Sequence, residues 1–481
     1  MKTFKNMLIA VVALVAATAC SDSNSNGSVS DPTVTFCAVN DPTTTVSQLT
    51  FTKWNSFQMV DIQSNIDWQV SCDADWVTLS NHSGGGMTNK TLHLKVTVDE
   101  NTTEQSRTAN VTLTGGGLTA KLTILQNSNY VDPLGWISAT DAGNAMKIGL
   151  NLFNTMEAFG EWFDWKDADG NDNIDAFQTC WGNPLVTADW FNAVKANGFN
   201  AVRIPVTWFP HMDENDQVSE KWMNRVEEVV NFALDAGLYV IINVHHDTGD
   251  GGWLAADLSK IDEISERYVT LWTQIATRFE QYGDHLMFES YNEILDKNNN
   301  WANVEGDAYI AVNKLAQTFV NTIRGLGGNN GHRNLIVNTY AAQCSSDVLE
   351  KFEIPTDQIT DHLMVQIHNY DPADFCRMTK ELKDDEELPV WNDDYQNELA
   401  AELDVLIDYY DTYHVPVIIG EFAANDKLAE EERAKYAEFM VTYCRQNANI
   451  SLFYWNEVIS RTTFQPTYPL VMQALLKAKD Y

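Results

Sequence analysis

From residue 145 to the end, short apolar runs alternate with longer amphipathic stretches, and the alternation repeats eight times. The runs are MKIGLNL (146–152), NAVRIPV (200–206), YVIINVHH (239–246), LMFESYNE (286–293), NLIVNTY (334–340), LMVQIHNY (363–370), PVIIGEF (416–422) and SLFYWNE (451–457). Between them, segments such as Trp222 to Ala236 and Tyr268 to Tyr282 carry apolar residues at helical spacing. Strands alternating with helices signal an α/β fold. Eight such units in about 340 residues match the count and length of a (β/α)8 barrel over 145–481.

The preceding segment follows a different period. Leu92, Leu94, Val96 and Val98 alternate with Thr91, His93, Lys95 and Thr97, and Leu118, Ala120, Leu122 and Ile124 repeat the two-residue spacing. Gly84–Gly86 and Gly115–Gly117 supply turns, so residues 33–128 are expected to form a small all-β, immunoglobulin-like sandwich. Trp68 in DWQV, Trp76 in ADWVTLS, VTVDEN, Arg107 and the closing LTILQN together resemble a BACON domain. The resemblance implies a carbohydrate-binding module. With no run of exposed aromatics, Trp54, Trp68 and Trp76 are read as packing residues and the domain as a spacer. Residues 129–144 are read as a linker.

At the N-terminus, Lys2 and Lys5 precede the apolar stretch Met7 to Ala19. Its 13 residues are too short to cross about 30 Å of hydrocarbon as a helix, and they suit a secretory signal. Small residues followed by Cys20 resemble the lipobox of a Bacteroidetes-type lipoprotein, with Ala17 where Leu is usual. That implies a signal peptide over 1–20, lipidation at Cys20, and an exported protein held at the outer membrane or cell surface. The polar stretch 21–32 reads as a flexible tether. Six further cysteines show no metal-binding spacing, and their pairing is not legible.

Charge narrows the partners. With 31 basic and 67 acidic side chains the net charge is −36, which repels polyanions and argues against nucleic acid. The 15 Trp, 17 Tyr and 21 Phe supply a large core and leave rings over for a surface.

In such a barrel the ends of the strands at one face build the site. Here Arg203, His245, His246, Asn292, Glu293, His368, Tyr370, Glu421 and Trp455 all sit at predicted strand ends. Glu293 and Glu421 end the fourth and seventh strands, which face each other across a barrel mouth. Two carboxyls facing one bond is what retaining glycoside hydrolysis needs: one donates a proton and the other, ionised, attacks. Arg203 is placed to keep one of them ionised. Asn292 is placed to donate to a sugar hydroxyl, Tyr370 to hydrogen-bond the nucleophile, and Trp455 to offer an apolar face to a pyranose.

GFNAVRIPVTW, YVIINVHHD, SYNEI, QIHNYDP, PVIIGEF and FYWNE, in this order, resemble glycoside hydrolase family 5. WGNP (181–184) and YGDHLMFESYNE are similar to its subfamily 4, the endo-β-1,4-glucanases and xyloglucanases. The resemblance implies Glu293 as acid/base, Glu421 as nucleophile, and Arg203, His245, His246, Asn292, His368, Tyr370 and Trp455 around the substrate. It departs from the family pattern at Ile294, where Pro is usual, and at Leu150 and Phe153, which replace Trp and Gly. The expected substrate is a β-1,4-glucan: xyloglucan, soluble cellulose or mixed-linkage glucan. The alternatives are a β-mannanase or xylanase, or an inactive surface glycan-binding protein, which the presence of both Glu residues disfavours.

Other candidates are weighed against plainer roles. Glu289 is read as a buried structural carboxylate paired with Arg203. Neither a metal nor a cofactor is expected, since His245 and His246, being adjacent, are read as facing opposite ways and there is no HExxH. DADGNDNID (167–175) reads as a solvated turn, and 383–404 as a surface loop and helix start. Trp181 and Trp301 are candidate sugar platforms, as is Trp391 in the loop after the sixth strand. A monomer is expected.

Overall fold

The computed structural model describes residues 32–481 apart from 39–40, 52–55, 87–90, 100, 102, 104, 127–135, 161–172, 250, 303, 360 and 378–386. Cys20, the signal stretch, nearly all of the tether, Trp54 and most of the 167–175 turn lie outside the described residues.

Residues 34–126 form two five-stranded sheets. One holds, in spatial order, Asp41–Thr45, Val34–Ala38, Ser56–Ser64, Thr91–Val98 and Val77–Leu79; the other Gln48–Phe51, Leu118–Gln126, Arg107–Gly115, Trp68–Cys72 and Ser83–Gly84. The alternation puts Leu94, Val96, Val98, Val111, Leu113, Leu122 and Ile124 in the buried seam with Phe36 and Trp68. Leu118, at the start of its strand, is exposed. Gly116 and Gly117 make the tight hairpin, at φ 55° and 81°, where a side chain would be strained. Trp68 is core, and Trp76 is covered by the Arg107 guanidinium 4.2 Å from its ring, so both are packing residues.

The rest is a closed eight-stranded parallel barrel. Its strands are β1 (Ile148–Asn151), β2 (Ala201–Ile204), β3 (Tyr239–Asn243), β4 (Leu286–Glu289), β5 (Leu335–Asn338), β6 (Leu363–His368), β7 (Val417–Phe422) and β8 (Ile450–Tyr454). Pairing of Ile148 with Leu452 closes the ring between β1 and β8. Most strands are shorter than their apolar runs, so several polar residues at the ends of those runs belong to loops.

Residues facing out of the barrel, among them Leu150, Val202, Ile242, Phe288 and Val365, pack with the surrounding helices. Inside, the lowest layer is apolar: Ala201, Ile241, Met287, Ile336, Met364, Ile418 and Phe453. Gly149 leaves room for the Phe453 ring, which would lie 2.5 Å from a Cβ there. Helix α1 (Ala139–Met146) joins this layer from below through Ala139, Ala142 and Met146. Ser138 caps it by accepting from the Asp141 N–H, and the Ala139 N–H bonds to the Asp361 carbonyl at 2.7 Å. The stretch 129–144 read as a linker therefore ends in a structural plug. Its sequence, ATDAGNAM, hides the helix because Gly and Asn lower helix propensity.

One step higher, on β1 to β6, the interior turns polar. Asn151, Arg203, Asn243, Glu289, Asn338 and Gln366 are all buried there. The floor therefore supports a layer of polar groups shut off from water. Replacing Phe453 with Ala should open the plug and cost about 3–5 kcal/mol in unfolding free energy. Urea denaturation measures this, with KM of the folded fraction expected to stay unchanged.

Candidate active site

Glu421 reaches the mouth because β7 carries a bulge. Ile418 faces the interior, so strict alternation would bring Gly420 inward and turn Glu421 out toward the helices. Between Ile419 and Phe422, however, β7 advances three residues while β8 advances two, from Leu452 to Tyr454. Against β6 the same slip pairs Ile367 with Ile419 but His368 with Glu421. The extra residue re-aims the Glu421 side chain into the barrel mouth. Gly420 permits it, since a Cβ there would lie 2.4 Å from Cδ of Gln366.

Arg203, fully buried on β2, binds the site together. Its Nη1 donates to Glu421 Oε1 at 2.8 Å and to Asn151 Oδ1 at 3.1 Å. Nε donates to Glu289 Oε2 at 2.7 Å, and Nη2 to Glu289 Oε1 at 2.8 Å and to Asn292 Oδ1 at 2.9 Å. Glu289 is thus the buried carboxylate partner expected from its parity. The Tyr370 hydroxyl donates to the other Glu421 oxygen, Oε2, at 2.9 Å. Both oxygens of Glu421 therefore accept hydrogen bonds.

Glu293 lies in the loop after β4. His368 Nδ1 stands 2.8 Å from Glu293 Oε1 and 3.6 Å from Glu421 Oε2, bridging the two carboxyls. One oxygen of each carboxyl and a His368 nitrogen lie within 4.8 Å of one another, the one trio spaced to hold a cation among the described residues. The Glu293 side chain is 25% exposed against 7% for Glu421, so solvent reaches the pair from the Glu293 side. Ile294, where the resemblance has Pro, buries its side chain and donates its N–H to the Asn292 carbonyl at 3.1 Å. Here a hydrogen bond fixes the turn that a proline ring would otherwise restrict.

The histidines and aromatics complete the wall. Because β3 ends at Asn243, alternation no longer separates His245 from His246, and their rings touch edge-on at 4.4 Å. Asn243 Nδ2, a donor only, lies 3.1 Å from His245 Nδ1, which leaves the His245 proton on Nε2. The His245 ring lies parallel to Trp455 at 5.9 Å, and Phe153 flanks the same indole at 6.0 Å. Trp181 packs on His246 at 5.5 Å and on Phe159 at 6.0 Å. Trp301, in the loop after β4, is 51% exposed, with its carbonyl held by Gln343.

Trp391 is not at this surface. It is buried among Phe375, Tyr395, Tyr436 and Phe439, because its loop folds back onto helices α2 (Asp393–Tyr413) and α3 (Glu430–Asn447). Trp253 and Trp208 are structural too, through Asp247 and the Asn243 carbonyl. Asp247 also accepts the Trp208 and Phe209 N–H groups, each at 2.8 Å, tying the loop after β2 to that after β3.

Asn151, Asn243 and Asn338, which no sequence motif singles out, also belong to the Arg203 network. Each is a lone amide near the end of an apolar run, a polar break that carried the signal.

Electrostatics follow from burial and neighbours. Burial pushes the Glu421 carboxyl above its usual range and Glu293 adds to this, while His368 and Arg203 pull it down. Burial, His246 and Arg203 hold His245 well below the usual imidazole range, so it is neutral. Burial takes His246 down to about 4. Burial raises Glu289, but Arg203 outweighs it and the net shift is downward.

A parallel barrel with two carboxyls this close at its mouth, lined by aromatic rings, is the site of a two-carboxylate glycosidase. Residues 156–458 match the model of the cellulases, glycosyl hydrolase family 5, and 67–127 match the BACON model. The chain belongs to glycosyl hydrolase family 5 and carries a BACON domain ahead of its barrel. It is 32% identical over 469 residues to the xyloglucan-specific endo-β-1,4-glucanase BoGH5A of Bacteroides ovatus, covering 89% of each chain. It is 37% identical over 325 residues to endoglucanase A of Ruminococcus albus, covering 66% of this chain and 84% of that one. The solved structure of PbGH5A from Prevotella bryantii superposes with a TM-score of 0.65 at 37% identity, over 73% of this chain and 99% of the other. The Bacteroides ovatus xyloglucanase in complex with a XXXG heptasaccharide gives 0.63 at 30% identity, over 90% and 98%.

Tyr370→Phe removes a donor from ionised Glu421 and so raises its pKa further. Chemistry that needs Glu421 ionised then fails at a higher pH. The acid limb of kcat/KM should move up by about one unit, with kcat about tenfold lower at the optimum; a pH–rate profile measures both.

Proposed function

We propose that Glu421 is the nucleophile and Glu293 the acid/base of an endo-acting β-1,4-glucanase that retains anomeric configuration. The observation that carries this is the spacing of the two carboxyls, with oxygens within 4.8 Å. It suits the roughly 5–5.5 Å of retaining enzymes and falls short of the roughly 6.5–9.5 Å of an inverting pair.

Glu421 attacks the anomeric carbon as the glycosidic C–O bond breaks, and the Glu293 proton passes to the departing oxygen. Glu293, now a carboxylate, takes a proton from water, whose oxygen attacks the anomeric carbon. The bond to Glu421 then breaks and the carboxylate is restored. Both Glu421 oxygens accept hydrogen bonds, so protonating it would break one of them.

Asn292 Oδ1 is occupied by Arg203, which leaves its amide N–H groups for a sugar hydroxyl. Trp455, steadied by His245 and Phe153, offers its face to the sugar whose bond is cleaved. His246 and Trp181 line one side of the cleft, and Trp301 extends it on another.

The substrate class is a soluble β-1,4-glucan, with xyloglucan first. Support comes from the relatives named for xyloglucan and from the open, ring-lined rim. An acidic surface suits a neutral polymer, which needs no basic groove. Acylation of Cys20, the polar tether and the sandwich as a spacer would hold the barrel away from a membrane as an exported monomer.

Glu421→Ala should abolish hydrolysis of xyloglucan, carboxymethyl cellulose and mixed-linkage glucan alike, as read by reducing-sugar release. Retention of a tenth of the wild-type rate on the best substrate would overturn the assignment.

A further inference from the structure

We propose that Glu289 is a positioning residue for the reaction: its fixed negative charge, beneath the mouth, claims one edge of the Arg203 guanidinium and sets how much positive charge reaches Glu421. This rests on the reading of Glu421 as the nucleophile.

A guanidinium has five N–H donors, and Arg203 makes five hydrogen bonds. Two go to Glu289, one to Glu421, and one each to the carbonyl oxygens of Asn151 and Asn292. No side chain other than Glu289 takes two. The Arg203–Glu289 contact is the fork-to-fork pairing that fixes a guanidinium in plane as well as in place. Glu289 is itself held: Asn243 Nδ2 donates to its Oε1 at 2.9 Å and Asn338 Nδ2 at 3.3 Å. The cation is therefore clamped from below, and Glu421 and Asn292 are hung from its upper edge.

The charge count gives this clamp a chemical consequence. Arg203 contributes +1 and the two carboxylates −1 each, so the trio carries −1 when Glu421 is ionised. Without the Glu289 charge the trio would be neutral, with the whole of Arg203 directed at the nucleophile. Such a carboxylate is more stable and a poorer nucleophile. The other groups facing Glu421 are Glu293 from the loop after β4, and His368 and Tyr370 from β6 and the loop after it. None of them pairs with Glu289. Its charge therefore reaches Glu421 through space and through Arg203. Arg203 also holds Glu289 ionised despite burial. A glutamate serving only to fill the barrel would steady the fold and leave the nucleophile's titration unchanged.

The full-length protein is tested as Glu289→Gln and Glu289→Asp. Folding is followed by circular dichroism, kcat and KM are measured across pH on an aryl cello-oligosaccharide, and the labelled residue is identified with a 2-fluoro glycoside. Glu289→Gln should move the acid limb of kcat/KM down by about one unit and lower kcat about tenfold, leaving KM within about twofold. Glu289→Asp, which keeps the charge, should leave the limb at its wild-type position. If Glu289→Gln does not fold, Asn338→Ala decides: with one donor gone, the less compensated Glu289 charge should move the limb up. The proposal is overturned by an unmoved limb in the folded Gln variant, or in Asn338→Ala where that variant decides. It is also overturned if Glu289→Asp shifts the limb as Gln does. Loss of the label from Glu421 in the wild-type protein would instead sink the nucleophile assignment on which the proposal rests.

Discussion

A buried guanidinium with no path to water is the constraint around which this barrel is organised. Leaving such a charge unpaired inside a protein costs several kcal/mol, so its surroundings must supply acceptors. Arg203 finds them on β1, β4, the loop after β4, and β7: Asn151, Glu289, Asn292 and Glu421. Each partner is fixed by the same requirement that satisfies the cation. Structure and site therefore share one network, and the Glu421 carboxyl is placed by a buried cation.

The layers below make that network dry. Ile241, Met287, Ile336, Met364, Ile418 and Phe453 close the floor, and α1 seals it from outside. Above, the aromatic wall of Trp455, His245, His246 and Trp181 leaves the mouth open to a chain while the carboxyl of Glu421 stays 7% exposed. Low dielectric around the pair strengthens every contact within it and raises the cost of holding two negative charges together. Burial and the neighbouring Glu293 accordingly push the Glu421 carboxyl up, against the downward pull of His368 and Arg203.

Much of this was legible in the residues. The eight apolar runs gave the strands their order, and Glu293 and Glu421 were recognisable as carboxyls at strand ends. Glu289 could be assigned to the interior from its parity with Glu293, although β4 ends at Glu289 and Glu293 belongs to the loop. Other features were invisible because they depend on neighbours distant in sequence. The bulge that turns Glu421 inward is a mismatch between β7 and both adjacent strands, and only the sheet register reveals it. Early termination of β3 brought His245 and His246 together against the expected alternation. Trp391 looked like a platform from its place after β6, yet packing against Tyr436 and Phe439 claimed it for the core.

Where the sugar becomes attached tests the role of Glu421 most directly. Incubating the full-length protein with a 2-deoxy-2-fluoro cello-oligosaccharide bearing a good leaving group slows release of the covalent intermediate. Proteolysis and mass spectrometry then locate the label. A single label is expected on Glu421, in the peptide containing PVIIGEF, with loss of activity in step with labelling. A label on Glu293 or Glu289, or an initial product of inverted configuration with no label at all, would contradict that role.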